Sequence, residues 1–179
     1  YKPFDKELFK KNDKLGRKYA KHFLPRILRE KDPKKYHSVE VKDNQDVYGP
    51  DLCCYNEGEL VGYFETEIKH NWVSDKFPFQ DLQIPERKAK WIDGHKGLPV
   101  TFCVLSKPVG NDSVPSIQNM VTVKGRTMSK CPLQVIPNKF MPHGEKFFKI
   151  PIDLVNFHHF PDYSLLNNES KKRKISKAD

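Results

Sequence analysis

Asp51, Glu65, Glu67 and Lys69 are the residues of this chain whose types and spacing best suit chemistry. Tyr63 to Lys69 reads as a strand, and successive strand residues point to opposite faces. Glu65, Glu67 and Lys69 therefore share a face with Tyr63, while Phe64, Thr66 and Ile68 take the other. Two carboxylates and an ammonium in a row are costly to bury unless they serve each other or a ligand. A hairpin that returns Asp51 alongside makes an acidic pocket holding one cation. Such a pocket suits a divalent metal and an activated water acting on a phosphodiester.

The elements that would carry these residues can be read from apolar spacing. Residues 5–30 read as a helix: Leu8, Leu15, Tyr19, Phe23 and Ile27 form a stripe that Ala20, Leu24 and Leu28 widen. Pro25 is expected to kink or divide it near Leu24, and Lys31-Asp32-Pro33 to stop it. Val39, Val41 and Val47 suggest a first strand, Asp51 to Tyr55 a second, and Leu60 to His70 a third, with a turn at Asn56-Glu57-Gly58-Glu59. A loop is expected over 77–83 and a helix over Ile84 to Ile92, with Pro85 in its first turn. Pro99 to Leu105 is an apolar run suited to a buried central strand. Residues 107–116 form a Pro/Gly/Asn/Asp loop, and Met120 to Val123 suggest another strand. The proline-rich stretch 124–146 gives no clear pattern, and 147–151 and 154–157 are short apolar pieces. Residues 167–179, with Lys171-Lys172-Arg173-Lys174, look disordered. The domain reading is one unit over 1–166 with this basic tail beyond it.

Helix, then strands, with Pro50-Asp51 followed by Glu67-Ile68-Lys69, resembles the PD-(D/E)xK nuclease superfamily, the restriction-endonuclease-like fold. The likeness covers residues 5–105; 106–179 match only by position. It implies an α/β fold with a mixed central β-sheet flanked by helices. It also implies that Asp51 and Glu67 bind the metal, with the Ile68 carbonyl completing the shell. Lys69 would contact the attacking water or the scissile phosphate. The implied activity is metal-dependent endonucleolytic hydrolysis of DNA leaving a 5′-phosphate, of the kind found in phage or mobile-element enzymes. The implied cofactor is Mg²⁺, with Mn²⁺ as a substitute. Helix-one acids sometimes join such sites, and Glu7 and Asp13 are the candidates here.

Glu65 departs from the motif: it is an extra ligand, a base acting through water, or a solvated strand end. Arg87 and Lys88 either reach a phosphate or line an exposed helix face. Gln80 and Gln83 could line the same pocket, whereas His70, Trp91 and the His158-His159 pair read as structural. The alternative for the whole acidic set is a surface face salt-bridged to Lys69, a kind of contact worth only about 0–1 kcal/mol.

Charge distribution adds a partner. The chain carries a net +9. Residues 1–35 hold +8 of that, 36–166 hold −2, and the tail 167–179 holds +3. Basic flanks around an acidic pocket fit a polyanion. Lys14 and Lys18 on the first helix, and Arg126 with Lys130 and Lys139 in the proline-rich stretch, are the candidate backbone contacts. Double-stranded DNA is the expected partner, with a second copy of the chain where both strands are cut. A non-catalytic nucleic-acid-binding protein on the same fold and an RNA-directed nuclease are the alternatives.

Charged residues make up 31% of the chain, above the usual quarter. No apolar stretch approaches the roughly 18 residues that span a bilayer. Tyr1-Lys2-Pro3 opens into a charged segment without signal-peptide character. Cys53, Cys54, Cys103 and Cys131 show no zinc spacing and read as reduced, mostly buried thiols. The expected compartment is the cytoplasm of a bacterial or phage-infected cell rather than the secreted space.

Overall fold

The computed structural model describes residues 5–110, 116–137 and 141–160. The tail 167–179 and Lys139 lie outside the described residues. Helix α1 spans Lys6–Lys31, begun by the Asp5 carboxylate accepting from the Leu8 amide at 3.0 Å. Tyr19, Ala20, Phe23 and Leu24 are buried along it, as the stripe requires. Leu8 is 48% exposed, so the stripe outruns the sheet beneath it. The helix runs on through Pro25 instead of dividing there. Its apolar face packs on both sides of the proline, from Tyr19 to Leu28, and this burial sustains a turn that lacks one amide donor.

Strands β1 (Glu40–Asp43), β2 (Leu52–Asn56) and β3 (Glu59–Lys69) form an antiparallel meander. Glu57 and Gly58 both take positive φ, 54° and 77°, which gives the β2–β3 turn the twist that a two-residue hairpin needs. Val47 belongs to no strand; it is 85% exposed in the loop before β2. β5 (Val100–Ser106) runs parallel to β3, with Tyr63 opposite Val100 and Lys69 opposite Ser106. β6 (Asn119–Lys124) and β9 (Asn156–His159) complete a six-stranded mixed sheet in the order β1-β2-β3-β5-β6-β9.

The expected helix over 84–92 is helical only from Glu86 to Trp91, and its first two residues end a strand. β4 covers Asp81–Pro85, a segment that the sequence reading divides between a loop and a helix, and only Glu86–Trp91 turns helically, as a 3₁₀ segment. Leu82 and Ile84 alternate inward against Ile150 and Phe148 of β8 (Glu145–Pro151), a pairing with far-off residues that local spacing cannot show. β7 (Leu133–Ile136) adds to β8, giving a second sheet in the order β4-β8-β7. The stretch 124–146 thus holds a short helix α2 (Gly125–Met128), β7 and the start of β8.

The helix-flanked arrangement is corrected accordingly. One face of the large sheet packs on α1 through Leu52, Cys54, Phe64, Cys103, Leu105 and Met120. The opposite face packs on the second sheet and the 3₁₀ turn through Tyr63, Phe102, Val104, Leu82, Ile84 and Trp91. The fold is α/β in content but mostly strand, with a single long helix among the described residues. Removing one buried ring from either layer, for example Phe23→Ala, is worth about 3–5 kcal/mol. The three buried cysteines, Cys53, Cys54 and Cys103, are free, as is the partly buried Cys131. Burial raises each thiol, Cys54 to about 11, so none of them is a thiolate near neutral pH. No helix among the described residues is long and apolar enough to cross a membrane.

Candidate active site

The faces of β3 fall as its alternation requires. Tyr63 enters the layer against the second sheet, and Phe64 and Ile68 the layer against α1. Glu65, Glu67 and Lys69 therefore open toward the side that carries the 3₁₀ turn and β4. The β2–β3 register pairs Leu52 with Phe64, which sets Asp51 one step further on, beside Glu65 rather than Glu67. That one step decides which carboxylates meet.

Asp51 and Glu65 share a hydrogen bond between their carboxyl groups. The Asp51 Oδ2 also accepts from the Thr66 amide at 2.9 Å and the Thr66 hydroxyl at 3.0 Å. Burial alone would raise Asp51. The hydrogen bonds from Glu65 and Thr66, helped by Lys88, more than cancel this and hold it below its ordinary value. Glu65, only 7% exposed, has the opposite fate. Burial and its bond to Asp51 push it up to about 8, against the pull of Lys88. At neutral pH the two carboxyls thus hold one proton, on Glu65, with the charge on Asp51. Lys88 Nζ stands 3.4 Å from Glu65 Oε1. With Glu65 protonated that contact is a hydrogen bond to a neutral acid, and the ammonium also acts on the Asp51 charge.

Asp13 joins from α1. Its carboxyl is raised by burial and then by the charge of Asp51, with Arg17 and Lys88 opposing. The helix comes this close because residue 16 is glycine: a Cβ there would lie 3.3 Å from Ile68 Cγ1. Glu7, the other helix-one candidate, is exposed in the first turn. Arg17 in turn ties Asp13, at 3.3 Å, to Asp43 of β1, at 3.8 Å.

Lys69 lies apart from the Asp51–Glu65 pair. Its ammonium sits over the Phe79 ring, 5.1 Å from the centroid. Burial lowers its pKa, and the neighbouring Glu67 pulls it back up. The motif therefore opens into two parts: Asp13, Asp51, Glu65 and Lys88 in one, Glu67 and Lys69 on Phe79 in the other. The Ile68 side chain turns away onto Gly16.

The remaining candidates lie further out. Arg87 is 67% exposed and paired with Glu145 at 3.2 Å. Lys14 and Lys18 are on the exposed side of α1, and Arg126 and Lys130 are exposed in and after α2. Gln83 is half-buried on β4 and Gln80 exposed. His70 is exposed, with Asn12 Nδ2 at 3.5 Å from its Nε2, and Trp91 is buried in the core. Thr66 and Phe79 give no warning in sequence: Thr66 falls on the opposite strand face, and Phe79 sits in a stretch read as loop.

Among the described residues, no three His, Cys, Asp or Glu side chains converge closely enough to enclose a metal ion. Mg²⁺ does not need such a cage, since it keeps several waters and is commonly held by one or two carboxylates together with substrate phosphate. Asp51, just before β2, and Glu65 on β3 are two hydrogen-bonded carboxyls, joined through a proton that a divalent cation would displace. The donor set suits a hard cation with open positions and does not suit a structural zinc site. Comparison with protein-family models, with curated proteins and with solved structures returns no match to this chain.

Proposed function

We propose that the protein is a metal-dependent endonuclease that hydrolyses phosphodiester bonds in DNA, leaving a 5′-phosphate. The observation that carries this reading is the buried Asp51–Glu65 pair. Two carboxyls, one just before β2 and one on β3, pressed together until one must keep its proton, form a poor structural contact and a good cation site. Supporting it is the order of elements: a basic N-terminal helix, a hairpin bearing Pro50-Asp51 and Glu67-Ile68-Lys69, and a strand returning parallel to the motif strand. The resemblance to PD-(D/E)xK nucleases implies this order with a helix before the returning strand, where this chain has β4 and a 3₁₀ turn.

Asp51 and Glu65 would hold the cation, with the Asp13 carboxyl acting on the same charge from α1. When bound, Mg²⁺ supplies positive charge at the phosphate and a more acidic water. The protein's own residues supply the rest. Thr66 fixes Asp51 through two hydrogen bonds, so the ligand does not have to be ordered at the moment of reaction. Lys69, over Phe79 and apart from the pair, would add positive charge where the phosphate lies along β3. Lys14 and Lys18 lie on α1, the element that brings Asp13 to the pair, so the substrate backbone can be gripped beside the acidic centre.

The test is nicking and linearisation of supercoiled plasmid in Mg²⁺, Mn²⁺ or EDTA, with Lys69→Ala alongside. Metal-dependent cutting that falls on the order of 10²–10³-fold in the variant, with DNA binding retained, supports the reading. Tight DNA binding without cutting by the wild type would favour a non-catalytic binding protein, and cutting of RNA alone would redirect the substrate.

A further inference from the structure

We infer that Lys88 is a built-in counter-ion that occupies the cation's place and leaves when a divalent metal arrives, becoming available to a substrate phosphate. This rests on the reading of Asp51 and Glu65 as metal ligands. Four observations carry it. The Lys88 ammonium is 3.4 Å from Glu65 Oε1, with its side chain only 20% exposed. The same ammonium acts electrostatically on Asp13, Asp51 and Glu65, so one cation serves all three carboxyls. The motif lysine does not do this job, since Lys69 is held over Phe79. Finally, Lys88 comes from the short 3₁₀ segment Glu86–Trp91, whereas the carboxylates come from the central sheet and α1.

A unit charge and a divalent cation cannot share a pocket this small without strong repulsion. Bound metal would therefore expel the Lys88 head group, whose four-carbon stem lets it move while its backbone stays. The expelled ammonium would stay next to the metal, on the side from which a phosphate approaches. Metal binding would thus complete the phosphate-binding surface, and DNA affinity and metal affinity would be linked through one side chain.

The experiment is Mn²⁺ binding by calorimetry, without DNA, to the wild type, Lys88→Met, Lys88→Arg and Asp51→Asn. Lys88→Gln replaces the methionine variant if that one does not fold. We expect removal of the Lys88 charge to tighten Mn²⁺ binding about tenfold or more, Lys88→Arg to stay within about threefold of the wild type, and Asp51→Asn to bind weakly or not at all. A gain in affinity is not what a damaged fold would produce. Wild-type binding that Asp51→Asn abolishes, with Lys88→Met unchanged or weaker, overturns the role of Lys88 and leaves the metal site standing. Absence of binding in every protein, or equal binding by wild type and Asp51→Asn, overturns both.

Discussion

Two polar clusters interrupt the core, and they are built on opposite principles. On the β2–β3 side, Asp13, Asp51, Glu65 and Lys88 bring together three acids and one base, with a proton trapped between two of the acids. On the β5–β6 side, Ser106 Oγ accepts from the Asn119 amide at 3.2 Å, Asn119 Nδ2 donates to Asp75 at 3.4 Å, and Asn119 Oδ1 meets the His159 ring. His158 adds a 3.3 Å contact to Thr122, and burial keeps that imidazole toward its neutral form. In the second cluster every member named has a partner of matching character, and the cluster fastens β9 and the loop around Asp75 to the sheet. The first balances its charge only by keeping a proton on Glu65 and drawing Arg17 to Asp13 and Lys88 to the pair. Matched polar groups hold a fold together, whereas two acids that must share a proton mark a candidate binding place.

The largest effect that could break this contrast is on stability against pH. The folded Glu65 carboxyl titrates at about 8, above its ordinary 4.5. In that window the native state holds a proton that the unfolded state has lost, so stability falls as pH rises. The metal-free protein is expected to lose up to roughly 4 kcal/mol between pH 5 and pH 8, read from urea midpoints. Glu65→Gln should flatten that slope, and Mg²⁺ should restore stability at pH 8. The depressed Asp51 acts only at lower pH, where its stabilisation is lost as the carboxylate is protonated. A flat wild-type profile would remove the distinction between the clusters.

Next in size is Asn119→Ala, which strips partners from Asp75 and His159 and should cost about 1–3 kcal/mol, measured by the same denaturation. Lys14→Ala with Lys18→Ala should leave stability nearly unchanged. It should lower the slope of log affinity against log salt for DNA by about 2. The wild type should lose orders of magnitude in affinity between about 50 and 200 mM salt. The smallest effect is expected from Arg87→Ala. Its exposed pair with Glu145 should contribute no more than about 0.5 kcal/mol, and a larger loss of stability would mean that the pair organises the second sheet.

Much of this arrangement was legible from spacing because it depends on local periodicity. The α1 stripe, the β2–β3 hairpin, the two faces of β3 and the apolar β5 each declare themselves within a few residues. What stayed hidden depends on distant partners. β4 reads as the end of a loop and the start of a helix because its own residues give no strand signal, and the partners of Leu82 and Ile84 are the distant Ile150 and Phe148. The site was legible as a set of residue types but not as a set of contacts. The motif groups Asp51 with Glu67 and Lys69, whereas the β2–β3 register sets Asp51 against Glu65 and the chain folds Lys88 back to meet them. Asp13 was visible only as one of two acids on the helix, since the close crossing at Gly16 that selects it is a tertiary event.

The most direct test of the central claim sets one residue from each cluster side by side. Plasmid cleavage in Mg²⁺ and in EDTA would be measured for Asp51→Asn and Asn119→Ala, each corrected for the folded fraction. Asp51→Asn should lose cleavage on the order of 10²–10³-fold per folded molecule. Asn119→Ala should lose stability yet cut normally per folded molecule. Metal-dependent cutting by Asp51→Asn at the wild-type rate would contradict the account.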